Sequence, residues 1–271
     1  MFFRFQQVLA RFFPALKAVL IPWKYTKMNR GAKKVQGHDQ PKRPWPEPLG
    51  SVSDITGFLR LLGGETIKGW VFRGHGDASW SLLPKIDREP FAKFRMDKIL
   101  EREDHEILIL EQFKKYARSY LPTPPRDDWE WLALAQHHGL ATRLLDWTSN
   151  PLAALYFAIE EGTHGDAAAV WCYSHRGRLA SGNSHPFETR GIELFYPPHI
   201  SPRITAQGAC FTSHPPNRIL SDYEWSSYKS IMVRSSDSFR DQLTGVGVTR
   251  ASLFPDMDGA ALTVNREYSR Y

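Results

Sequence analysis

Cysteine is nearly absent: the 271 residues include two, Cys172 and Cys210. Neither lies in a CxxC pair or at metal-ligand spacing. A zinc ribbon and a disulfide framework are excluded, and a reducing, cytoplasmic setting is the simplest expectation, with one disulfide the most the chain could form. Long apolar runs are also missing. No stretch approaches the roughly 18 to 20 uninterrupted apolar residues of a membrane span. There is no HExxH, no Cys/His quartet and no paired-carboxylate motif, and neither GxGxxG nor GxxxxGK[ST] occurs. Asp256 and Asp258 in "FPDMDG" open like a calcium loop, but the repeating acids and distal Glu are lacking, so a turn or helix cap is expected there.

Acidic residues are scarce at one end. The formal net charge is +6, but residues 1 to 47 hold ten Lys and Arg against Asp39 and Glu47, a net +8, and the remaining body is −2. The basic character belongs to the arm and is no sign that the globular body binds nucleic acid. The first 27 residues contain no acid. Phe2, Phe5, Leu9, Phe12, Leu16 and Val19 follow helical spacing. Residues 2–21 therefore read as an amphipathic helix for membrane-surface contact or targeting. A signal peptide fits worse, because Arg4 and Arg11 interrupt the apolar run. Equally, Met28 can be the native start. Residues 29 to 48 are polar, basic and proline-rich, and read as a disordered linker. The expected organisation is thus an extension over 1–48 and one domain over 49–271.

Within the body, Ser53 offers an N-cap before Phe58, Leu59, Leu61 and Leu62. Trp70–Phe72 reads as a short strand broken by Gly74 and Gly76, resuming at Trp80, Leu82 and Leu83. Helices are expected over about 97–120, 129–138, closed by Gly139, and 151–161, opened by Pro151. Strands follow in "AAAVWCYS", "IELFYPP", "RITAQGACFTSH" and "SYKSIMVRS", then a helix near 236–243 and a closing tail. No internal repeat is visible. Helices early and strands late predict an α+β fold.

Three polar clusters sit against these apolar elements. Arg73-Gly74-His75-Gly76 can offer a guanidinium and backbone N–H groups to a phosphate or amide, or can be a salt-bridged arginine before a tight turn. The stretch "QHHGLATRLLDWTSNP" places Arg143 and Asp146 three apart, where they could pair, and Thr148, Ser149 and Asn150 where one of them caps the next helix. Capping explains one polar residue, not the whole set. His137 and His138 could be ligands or acid–base groups, but neighbours on a helix point about 100° apart and would not share one metal. The third cluster, "RITAQGACF", carries Arg203 and Gln207.

Taken in order, "VFRGHGD", "QHHGLATRLLDWTSNPLAALYFA", "RITAQGACF" and "LFPDMDG" resemble the FRG domain, named for the motif seen here as Phe72-Arg73-Gly74, over about residues 50 to 265. FRG domains occur in many bacterial and phage proteins, and their motif order resembles the ADP-ribosyltransferase fold. That resemblance implies a helical N-terminal half on a mostly antiparallel split β-sheet, with NAD as substrate and an unknown protein or nucleic-acid acceptor, in toxin or anti-phage biology. It implies that Arg73 binds the NAD pyrophosphate and the Gly74 backbone meets the nicotinamide amide. Thr148 and Ser149 would shape the ribose pocket, with His138, Arg143 and Asp146 in support. Gln207 would stand where that fold places a catalytic acid. A glutamine accepts a hydrogen bond but cannot act as a base, so His75 or one of His137 and His138 is the candidate for proton transfer. The alternative is a non-catalytic FRG module that binds a nucleotide or protein.

Overall fold

The computed structural model describes residues 46–64, 69–98, 101–160, 167–180, 184–198, 202–216 and 226–269. Arg43–Tyr271 form one compact unit. The amphipathic helix expected over 2–21 and nearly all of the linker lie outside the described residues.

Strand β1 (Ser51–Val52) leads into α1 (Ile55–Gly63), capped by Asp54 and not by Ser53. The Asp54 carboxylate accepts from Gly57 N at 2.8 Å, and this register turns Ile55, Phe58 and Leu62 into the core. Strand β2 (Trp70–His75) runs straight through Gly74. A Cβ there would collide with the Ala154 carbonyl and the Ala158 nitrogen, so the glycine lets a helix pack flush rather than ending the strand. Trp80–Leu83 do not resume as a strand. The helix expected over 97–120 is two, α2 (Phe91–Lys98) and α3 (Arg102–Ala117), because Glu101 is extended. Next come α4 (Asp128–His137), β3 (Leu144–Thr148), α5 (Pro151–Glu160), β4 (Ala167–Ser174) and β5 (Glu193–Phe195).

The stretch "RITAQ" is helical, not a strand. It forms α6 (Pro202–Gln207), with Pro202 at its first turn. Gly208, at φ +55°, stops it, and β6 (Ala209–Ser213) begins at once. Strand β7 (Tyr228–Arg234), α7 (Asp237–Gly245), α8 (Arg250–Leu253) and α9 (Met257–Tyr268) complete the described chain. Asp256 is the N-cap of α9, accepting from Gly259 N at 2.7 Å.

The strands form one seven-stranded sheet in the order β1-β7-β4-β2-β3-β6-β5. Every junction is antiparallel except β1–β7. The architecture is mixed helix and sheet, consistent with α+β, and the strands connect as one sheet, not two. One junction is nonetheless thin: β2 and β3 pair at a single position, Phe72 with Thr148. Side chains alternate along each strand. Phe72, Val170 and Ile231 face a core shared with α1, α5 and α7, and Val71, Trp147, Trp171 and Tyr173 face another. Leu144 and Phe211 meet α4 and the end of α3. Cys172 and Cys210 are buried free thiols in separate cores. No helix among the described residues is long and apolar enough to cross a membrane.

Candidate functional site at the parted strands

Beyond Phe72 and Thr148 an antiparallel register would set Arg73 against Trp147 and Gly74 against Asp146, but those pairs do not form. Arg73 occupies the opening. Its Nη1 donates to the Asp146 backbone carbonyl at 2.8 Å and lies 3.6 Å from the Asp146 carboxylate. Its Nε donates to His75 Nε2 at 2.9 Å. A guanidinium thus does what a strand–strand hydrogen bond would do.

His75 follows Arg73 on the same strand face and is 2% exposed. Accepting from Arg73 at Nε2 requires the Nδ1–H tautomer, and Nδ1 is buried without a hydrogen-bond partner among the described residues. Burial, then the Arg73 charge, lowers its pKa to about 3. His75 is therefore neutral at neutral pH, an acceptor that orients Arg73.

Asp146 ends a directed relay. Leu144 N–H donates to Thr142 Oγ1 at 3.1 Å, so the Thr142 hydroxyl hydrogen goes on to Gln136 Oε1 at 2.7 Å. That contact fixes the amide orientation. Gln136 Nε2 then donates to the two Asp146 carboxylate oxygens at 3.2 and 3.0 Å. The carboxylate remains 55% exposed.

The rest of the stretch clasps α6 to β3. Thr148, 4% exposed, donates to the Gln207 carbonyl at 2.5 Å and accepts from Asn150 N at 2.9 Å. Ser149 N and Oγ donate to the Gly208 carbonyl at 2.9 and 3.3 Å. A Cβ on Gly208 would lie 2.8 Å from Ser149 Oγ. Asn150 caps α5, its Oδ1 accepting from Leu152 N at 3.0 Å and Ala153 N at 3.4 Å. Gln207 Nε2 donates to the Leu253 carbonyl at 3.1 Å, joining the last motif to the third. Phe254 follows, its ring between the Arg203 and Arg250 guanidiniums, each 4.4 Å from the centroid. Burial lowers the Arg203 pKa, with Asp146 among the nearby charges opposing that shift.

Arg143 and Asp146 do not pair. An odd spacing along an extended chain sends them to opposite sides. Arg143 is fully buried, donating to Glu106 at 2.6 and 3.2 Å and to the Pro186 carbonyl at 2.6 Å, with its guanidinium 4.5 Å from the Phe187 centroid. Arg102 also meets Glu106, at 3.5 Å, and Asp87, at 2.7 Å. This network braces α3 against the start of β3, away from the opening. His138 is the exposed C-terminal cap of α4, and its ring meets that of His137 edge-on at 5.0 Å. Burial lowers the His137 pKa, with the charges of His138 and Arg203 adding to it.

The structure therefore brings together Arg73, His75 and Asp146, and beside them Thr148, Ser149 and Gln207, while Arg143 turns away. Gln136 and Thr142 were not legible as site residues. Their signal is a helix C-terminus and strand entry only a few residues apart, which folds Gln136 back over Asp146. No curated protein and no solved structure matches the chain. Residues 68–167 match the FRG domain family, a segment that holds Phe72-Arg73-Gly74, the relay and the clasp residues Thr148 and Ser149. Residues 68–167 are thus identified as an FRG domain.

Proposed function

We propose that this protein binds NAD across the parted β2 and β3 strands and transfers ADP-ribose to an acceptor. One observation carries the reading. The strands bearing the first two motifs and the strand entered by the third are consecutive in the sheet, β2-β3-β6, with Phe72, Thr148 and Ala209 in one row. Arg73 stands one residue from that row and Gln207 two. Cleavage of a nicotinamide–ribose bond needs the pyrophosphate held, the leaving group positioned and developing positive charge on the ribose stabilised. Arg73 supplies the cation and Asp146 the anion, and the clasp holds α6 against β3.

A second reading has its own support. Gln207 is uncharged and its amide nitrogen is taken up by Leu253, which suits a module that binds a nucleotide without cutting it. Incubation of the purified protein with NAD separates the two. Nicotinamide release that is lost in Arg73→Ala, with folding intact, supports transfer or hydrolysis. A rise in melting temperature at millimolar NAD without release supports binding alone. Neither response would sink both nucleotide readings.

A further inference from the structure

We infer that Asp146 is the acid–base carboxylate of this site, filling the role that Gln207 cannot. The inference rests on the NAD-cleaving reading above and assigns the proton-transfer group within it.

The hydrogen-bonding pattern argues against a mere brace for Arg73. The shortest contact between Arg73 and residue 146 goes to the backbone carbonyl, at 2.8 Å, and would survive loss of the carboxylate, which stands 3.6 Å away. The carboxylate is instead gripped by Gln136, whose orientation is set through Thr142 from a backbone N–H. Such a chain ends in a donor, so it holds the carboxylate oxygens in place as acceptors. That group is more than half exposed although Gln136 holds both of its oxygens, so it stays open to a reactant. Its strand position is also apt. Asp146 and Thr148 share a face of β3, opposite Phe211 and Ala209 of β6, and Thr148 holds the Gln207 carbonyl. The charged groups facing Asp146 are Arg73 from β2 and Arg203 from α6.

In the step this assigns, the bond between ribose C1′ and the nicotinamide nitrogen breaks, and its electron pair leaves with nicotinamide. The oxygen of a hydroxyl acceptor, or of water, forms the new bond to C1′. The acceptor's proton passes to the Asp146 carboxylate and from there to solvent. No oxidant or reductant is needed.

Nicotinamide release over a pH series tests this, with the NAD-induced melting shift measured alongside. Asp146→Asn should lower kcat by about 10²-fold or more, the usual range for a positioned acid–base group, while keeping the NAD-induced shift and losing the acidic limb of the pH–rate profile. Gln136→Met, which removes the donors but keeps the acid, should lower kcat by about tenfold while keeping the NAD-induced shift, because the carboxylate loses its fixed orientation. If the wild type releases nicotinamide and Asp146→Asn stays within about threefold of it, or Gln136→Met matches the wild-type kcat, this assignment falls and the NAD reading stands. If the wild type neither binds nor cleaves NAD, both fall.

Discussion

Arg73 Nη1 donates to the Asp146 carbonyl at 2.8 Å, at the point where the ladder between β2 and β3 stops. One side chain thereby closes the thinnest junction of the sheet, beside an exposed carboxylate. Stability and site geometry are coupled through this residue.

Arg73→Ala should therefore destabilise as well as disarm. It leaves the Asp146 carbonyl and His75 Nε2 without their donor, each lost charge-assisted bond being worth about 1.5–3 kcal/mol. Urea denaturation should show a loss of about 3–6 kcal/mol on that basis. Arg73→Lys should recover part of it, since an ammonium can reach one acceptor but not span both as the fork does. Equal stability of Arg73→Lys and wild type would contradict this account.

Gly74 and Gly208 are both required, for different reasons. Gly74→Ala drives a methyl into the α5 backbone, and helix backbone cannot yield as a side chain can. A loss of about 3 kcal/mol or more is expected, or failure to fold, at the upper end for overpacking. Gly208→Ala meets a movable Ser149 hydroxyl and a left-handed φ, so about 1–2 kcal/mol is expected. Thermal melts of the two variants should rank in that order.

The Arg143–Glu106 pair should behave as a buried charge pair. Arg143→Met leaves Glu106 buried with Arg102 alone, and a loss of about 3–5 kcal/mol follows. Glu106→Gln should cost a comparable amount, since Arg143 loses its closest anion while Arg102 keeps Asp87. The double variant should be markedly better than the sum of the singles, and additive losses in a double-mutant cycle would rule the coupling out.

Acid should unfold this protein through its histidines before its carboxylates. Burial and the Arg73 charge lower His75 to about 3, and burial with the Arg102 and Arg73 charges lowers His214 to about 3. In the unfolded chain both titrate near 6.5. The folded state thus excludes protons that the unfolded state binds. The stability contributed is fully present above pH 6.5 and is lost as pH falls from 6.5 toward 3. Each histidine adds a slope of up to about 1.4 kcal/mol per pH unit. Denaturation midpoints between pH 6.5 and 5, above the usual carboxylate range, should fall with acidity, and His75→Asn should reduce that slope by about one proton.

Much of this protein was determined locally and so could be read from its residues. Pro151 and Asn150 open α5, Gly139 closes the α4 turn at φ +86°, Asp256 caps α9, and the apolar alternation of "AAAVWCYS" and "SYKSIMVRS" makes strands. Capping and periodicity act over a few residues, where no distant partner is needed. Motif order also marked the FRG segment. Partnership, by contrast, was set by long-range packing. Whether Gly74 breaks a strand or admits a helix depends on where α5 packs. Whether "RITAQ" is helix or strand was settled by the clasp that pins its end to β3. Arg143 and Asp146, three apart in sequence, went to opposite sides because strand pairing set which face each would meet. Gln136 joined the site because the turn at Gly139 folds its helix back onto the next strand. Local chemistry names which groups can bond; long-range packing, through hydrogen bonds spanning tens of residues such as Arg73 to Asp146, selects which ones do.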